Sequence, residues 1–145
     1  DMTTPVKKMG YEAKLYYGSA GASASTLITN CRDVTYENGH EMGDTTVRGS
    51  GSSPPIKTAR PVARTVSLSW TMTLKTDDTA LTALLAAARD ATVIALKAVP
   101  VTSGNGLDAD CYISVSNPQP LGGEQTVTFT LTGLEDVDRT PVLNA

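Results

Sequence analysis

A chain of 145 residues with 40% hydrophobic side chains is long enough to bury a core and short enough to be one domain. A formal net charge of -3 with only 12 basic residues argues against a binder that works by coating phosphates. Apolar runs stay far short of the ~20 residues that span a bilayer, and Asp1 to Met9 lack the apolar stretch of a signal peptide, so a soluble protein made inside the cell, without membrane anchoring, is expected.

Asp1 to Met9 has no periodicity and reads as an N-terminal arm of a single domain spanning 1–145. Tyr11, Ala13, Leu15 and Tyr17 then alternate as a first strand, and Leu27 to Tyr36 reads as a second. Glu37 to Arg60 carries no period and is rich in Gly, Ser and Pro, so a long loop is expected over 37–60. From Val62 to Leu74 the period is two. Val62, Val66, Leu68, Trp70, Met72 and Leu74 form one face, broken only by Arg64, and small or hydroxyl side chains from Ala63 to Thr73 form the other.

A helix follows at about Asp78–Asp90. Asp77, Asp78 and Thr79 supply N-cap candidates, and Leu81, Leu84, Leu85 and Ala88 fall on one stripe. Thr92 to Val99 reads as a mostly buried strand ended by Pro100, and Ser103-Gly104-Asn105-Gly106 as a turn. Cys111, Ile113 and Val115 alternate in the next strand. Pro118 and Pro120 end it, Gly122-Gly123 makes the return, and Val127, Phe129 and Leu131 alternate in a partner. Leu134 to Ala145 reads as a C-terminal arm. This order predicts an α+β, mainly β fold: an antiparallel β-sandwich or barrel of about six to eight strands flanked by one α-helix.

No catalytic or metal-binding pattern emerges. His40, the single histidine, stands beside Glu41 and Asp44, but no serine occupies a nucleophile-elbow pattern and one histidine with loop carboxylates is a weak ligand set. Asp108 and Asp110 lack the glycine and distant glutamate of a calcium loop. Gly49-Ser50-Gly51 follows no strand-to-helix turn that would cradle a phosphate. Cys31 and Cys111 are expected to be buried free thiols rather than a disulfide. No catalytic residue, cofactor or metal is therefore expected, and the chain reads as a non-enzyme.

Two features are unusual. The non-core faces at Thr65 to Thr73, Ser114 to Ser116 and Thr126 to Thr132 carry hydroxyls where exposed strands normally carry charge. The 37–60 segment holds only a few apolar residues (Met42, Val47, Ile56), too few to offset the entropy of ordering it within one monomer. Both point to surfaces that a partner covers, or that line something.

The order and spacing of these segments resemble the phage tail tube (major tail) proteins and, more distantly, the ring protein of the type VI secretion system. The resemblance rests on Leu27-Ile28-Thr29-Asn30-Cys31-Arg32-Asp33-Val34-Thr35 running into a polar stretch with Glu41 and Thr45-Thr46-Val47-Arg48-Gly49. The Val62 to Leu74 strand, the Leu81, Leu84, Leu85 helix, Asn117-Pro118, Gly122-Gly123 and the closing Val127 to Leu131 strand then follow in order.

The resemblance implies a non-catalytic structural subunit that forms hexameric rings stacked into a tube, the conduit for DNA, located in the virion tail and assembled in the bacterial host cytoplasm. It implies that Glu41, Asp44, Val47, Arg48, Ile56, Lys57 and Arg60 of the long loop contact other copies. The further partners would be tail tip or baseplate, tail terminator and tape-measure proteins, with DNA passing through the lumen without specific binding. The alternatives are a carbohydrate- or adhesin-like binding module, which would need exposed aromatic platforms in a chain only 5% aromatic, and a secretion-type tube protein.

Overall fold

The computed structural model describes residues 10, 13–49, 51–100, 106–137 and 139–143. The elements are β1 (Lys14–Ser19), β2 (Thr26–Leu27), β3 (Cys31–Asp44), β4 (Ala59–Thr73), α1 (Thr79–Asp90), β5 (Ile94–Val99), β6 (Leu107–Ser116), β7 (Thr126–Glu135) and β8 (Val142–Leu143). All described strand pairings are antiparallel, in the order β2-β1-β5-β6-β7-β4-β3, with β8 added to β6. The expected N-terminal arm and most of the Ser103–Gly106 turn lie outside the described residues.

The sheet curls so that the start of β3 comes back toward β1 and β5: Val34 and Tyr36 line a cleft with Lys14, Ala98 and Val99. Inside the curl sits one core. Leu15, Leu68, Trp70, Met72, Leu96, Leu107, Cys111, Ile113, Val127, Phe129 and Leu131 project from one face of their strands, and Trp70 stacks on Phe129 at 5.3 Å between ring centroids. The alternation read from Val62 onward works here because every second residue of a strand points the same way.

Helix α1 closes this face. Asp78 is its N-cap, the carboxylate accepting from the Leu81 amide at 3.2 Å, and Ala91 ends it in a left-handed conformation with φ 54°. Leu81, Leu84 and Ala87 are buried, while Leu85 and Ala88, expected on the same stripe, are only partly covered. Asn30 ties the helix entry to the sheet by donating to Asp78 and to the Thr73 carbonyl.

Three expectations need correction. The 37–60 segment is not one long loop: β3 runs on to Asp44, β4 begins at Ala59, and only the connection between them is irregular. The strand around Val62–Leu74 is not buried along one whole face, because Val62 is 64% exposed and full burial begins at Leu68. The segment from Leu134 is not wholly an arm either: β7 reaches Glu135, and β8 returns to pair with Leu107 and Asp108. The cysteines are free as expected, but Cys31 is only half-buried.

Candidate functional site

The residues proposed for partner contact sit on a projecting arm. β7 pairs with β4 only from Ser69 to Thr73. N-terminal to Ser69, β4 has β3 alone beside it; Leu68 and Val66 still pack on the core, and at roughly 3.3 Å per residue the overhang from Ala59 to Thr65 reaches about 20 Å beyond it. Both faces of the outer arm are exposed. Exposure on both sides removes the hydrophobic period from 37–44 and 59–61, which is why those residues resemble a loop in sequence.

Local bonds shape the arm. The ladder continues through Tyr36↔Leu68, Asn38↔Val66, His40↔Arg64 and Glu41↔Ala63, then shifts register so that Met42 faces Pro61 and Gly43 faces Arg60. The glycine at 43 makes room there, since a Cβ at that position would lie 2.7 Å from Val62 Cγ1. At the end of the ladder Asp44 accepts from the Thr46 amide at 2.9 Å, and that bond holds its carboxyl below the usual range. Thr45 and Thr58 hydroxyls meet at 2.8 Å, and the Thr58 amide donates to Thr46 Oγ1 at 2.9 Å. The tip is therefore tied at its base.

The predicted contact residues distribute along this arm. Glu41, Asp44 and Arg60 stand on its strands, whereas Val47, Arg48, Ile56 and Lys57 stand on the tip. Val47 is 76% and Ile56 86% exposed. Among the described residues no ion pair involves Glu41, Asp44, Arg48, Lys57 or Arg60. His40, expected in a loop, lies on β3 opposite Arg64. No group of three or more His, Cys, Asp or Glu side chains able to hold a metal ion occurs among the described residues.

A second surface was only partly legible. The three hydroxyl-bearing strands are neighbours, and their registers place Ser69 and Ser114 on either side of Thr130, and Thr71 and Ser116 on either side of Thr128. Thr73 and Thr126 extend the patch, and Ser67 leads from it to Glu37, whose carboxylate it reaches at 3.4 Å. The result is one continuous, mostly uncharged face across β6, β7 and β4, opposite the core. The residues were identifiable from sequence; their merger into one surface was not, because it depends on register.

This face is bounded by open edges. Beyond Cys111, β6 from Tyr112 to Ser116 pairs only with β7, and β3 pairs only with β4, among the described residues. Both edges leave main-chain donors and acceptors available for another strand.

No protein-family model matches the chain, and no curated protein matches it. Solved structures do. The chain is similar to a chain in the tail of an empty gene transfer agent particle, refined with C6 helical symmetry, at 16% identity and TM-score 0.68, covering 96% of this chain and 100% of that one. This chain has the tail-tube fold. A chain of the SPP1 tail tube gives 17% identity and TM-score 0.66 over 96% of this chain and 80% of that one. A chain of the anti-feeding prophage baseplate, 6-fold symmetrised, gives 11% identity and TM-score 0.54 over 93% and 95%.

Proposed function

We propose that this chain is a non-catalytic structural subunit whose copies join into hexameric rings, and that the rings stack into a tail tube conducting DNA. The observation that carries the reading is the match of nearly the whole chain to tail-tube structures, one of them refined with C6 symmetry.

Physical features of the subunit support it. The β3 edge of one copy and the Tyr112–Ser116 edge of the next are different surfaces, so joining them is a head-to-tail contact, and such contacts close into rings when the rotation permits. An isolated two-stranded hairpin is at best marginally stable in water, so an arm exposed on both faces gains most when it docks on an adjacent ring. The hydroxyl face would then continue from copy to copy as the lumen wall. Across β6, β7 and β4 this wall carries hydroxyls, with Arg32 opposite Thr71 at its β3 margin. Few cations suit DNA passage, because each neutralised phosphate adds salt-sensitive affinity that retards movement.

In this reading Glu41, Asp44, Val47, Arg48, Ile56, Lys57 and Arg60 contact the adjacent ring. Tail tip or baseplate, terminator and tape-measure proteins bound the tube, and the location is the virion tail after assembly in the bacterial host cytoplasm.

Electron microscopy of the purified chain, alone and with a preformed tube end as seed, tests the reading. Rings or stacked tubes are expected. A chain that stays monomeric at millimolar concentration even when seeded overturns it.

A further inference from the structure

The C-terminal segment and the β1–β2 loop are far apart in sequence, yet they meet on two carboxylates of β6. Arg139 donates from Nε to Asp110 Oδ1 at 2.8 Å and from Nη1 to Asp108 Oδ1 at 2.7 Å. The second oxygen of each carboxylate serves the other segment: Asp110 Oδ2 accepts from the Gly21 amide at 2.8 Å, and Asp108 Oδ2 from Ser23 Oγ at 2.7 Å. Gly21 presents its amide from φ 93°, a left-handed conformation that favours glycine. Asp110 is fully buried, and β8 pairs alongside at Leu107 and Asp108.

We propose that Arg139 is the pin of a clasp in which the C-terminal strap (residues 139–143) and the β1–β2 loop (residues 20–25) open and close as one unit, and that acid releases it. The coupling follows from shared acceptors. Without Arg139, Asp110 is a buried carboxylate without its charged partner, a state costly enough that the site opens to water. The loop that covers Asp110 and donates to it through Gly21 must move for water to enter, so the strap cannot leave alone. This inference is independent of the tube reading.

Other charged and titratable groups complete the setting. Lys97 stands opposite Asp108 on β5, its ammonium over the Tyr16 ring at 5.9 Å, and Glu135 stands opposite Asp110 on β7, bonded to the Tyr112 hydroxyl and the Val137 amide. Cys111 adjoins Asp110, and burial pushes its thiol up to about 12, so it is uncharged throughout the acid range. For Asp108, burial alone would push the carboxyl up, but the Ser23 and Arg139 hydrogen bonds and the Arg139 and Lys97 charges hold it below the usual range. A depressed carboxylate contributes stability above its unfolded value near ~4 and loses it as pH falls through the folded value, so release belongs below about pH 4.

Amide and side-chain NH cross-peaks of the full chain test this, followed by NMR from pH 7 to pH 3. The Gly21 amide and the Arg139 Nε–H are expected to change with one shared midpoint, before core amides such as Phe129 and Leu96 lose dispersion. At pH 7, Arg139→Gln should speed exchange of the Gly21 amide at least tenfold, and Arg139→Lys, which keeps the charge, should recover part of the protection. Separate midpoints, a single global unfolding transition, or an unchanged Gly21 amide in Arg139→Gln would overturn the clasp. If that variant fails to fold, the titration of the unaltered chain decides.

Discussion

Thr71 and Thr128 face each other across the β4–β7 pairing with their hydroxyls 3.4 Å apart, at the centre of a hydroxyl-rich surface whose row is flanked by one cation, Arg32, opposite Thr71 on β3. Neighbouring strands thus present hydroxyls to one another as well as to solvent.

Adding charge there tests its role. Ser114 and Thr130 are exposed on this face but directly opposite one another, so each is changed alone: Ser114→Lys or Thr130→Lys should change monomer stability by no more than about 0.5 kcal/mol, read from denaturant melts. In assembled tubes either change should create DNA retention that weakens steeply with salt, measured as bound DNA against ionic strength. Retention indifferent to the lysines would remove this face from the lumen.

The arm tip makes the opposite separation. Val47→Asp with Ile56→Asp replaces two highly exposed apolar side chains, so the thermal midpoint of the monomer should stay within a few degrees. Stacking should be lost while single rings persist in micrographs. Full-length tubes from this variant would place the stacking contact elsewhere.

Gly106 is a packing constraint rather than an assembly one. A Cβ there would overlap the Ala98 carbonyl oxygen at the β5–β6 junction. Gly106→Ala should therefore destabilise the fold by about 2–3 kcal/mol, well above a typical surface change. Phe129→Ala, which removes the ring stacked on Trp70, should cost about 3–5 kcal/mol. Chemical denaturation measures both.

Thiol reactivity has a definite pH direction. Burial, then the charge of Asp33, pushes the Cys31 thiol up to about 11. Burial and the charge of Asp110 push Cys111 up to about 12, partly offset by Arg139. The thiolate is the reactive form, so alkylation of the folded chain should be slow at pH 8, rise at Cys31 first as pH climbs, and become fast at both sites on unfolding. Rapid labelling of Cys111 at pH 8 in the folded chain would contradict its buried setting.

The helix with its Asp78 cap, the Leu68-Trp70-Met72 face and the Val127-Phe129-Leu131 face are all readable locally, because each combines a period with a buried side. The same criterion fails in the arm. Residues 37–44 and 59–61 are strand, yet with water on both faces nothing in their order separates inside from outside; the alternation that begins at Val62 does read as strand, but its face meets the core only from Val66 on. Arg139 was hidden for another reason: it lies in an aperiodic stretch, and its partners Asp108 and Asp110 look in sequence like scattered carboxylates.

Composition and periodicity thus establish a mainly β domain with one helix, its core residues, and a surplus of strand hydroxyls. These properties depend on neighbours within a few positions along the chain. Register and curl alone merge Ser69, Thr71, Ser114, Thr128 and Thr130 into one face, extend β3 and β4 beyond the body as an arm, and bring Arg139 to the carboxylates beside Gly21. Those outcomes depend on which distant strands pair and at which residue, and a shift of one position would turn every side chain of a strand to the other face.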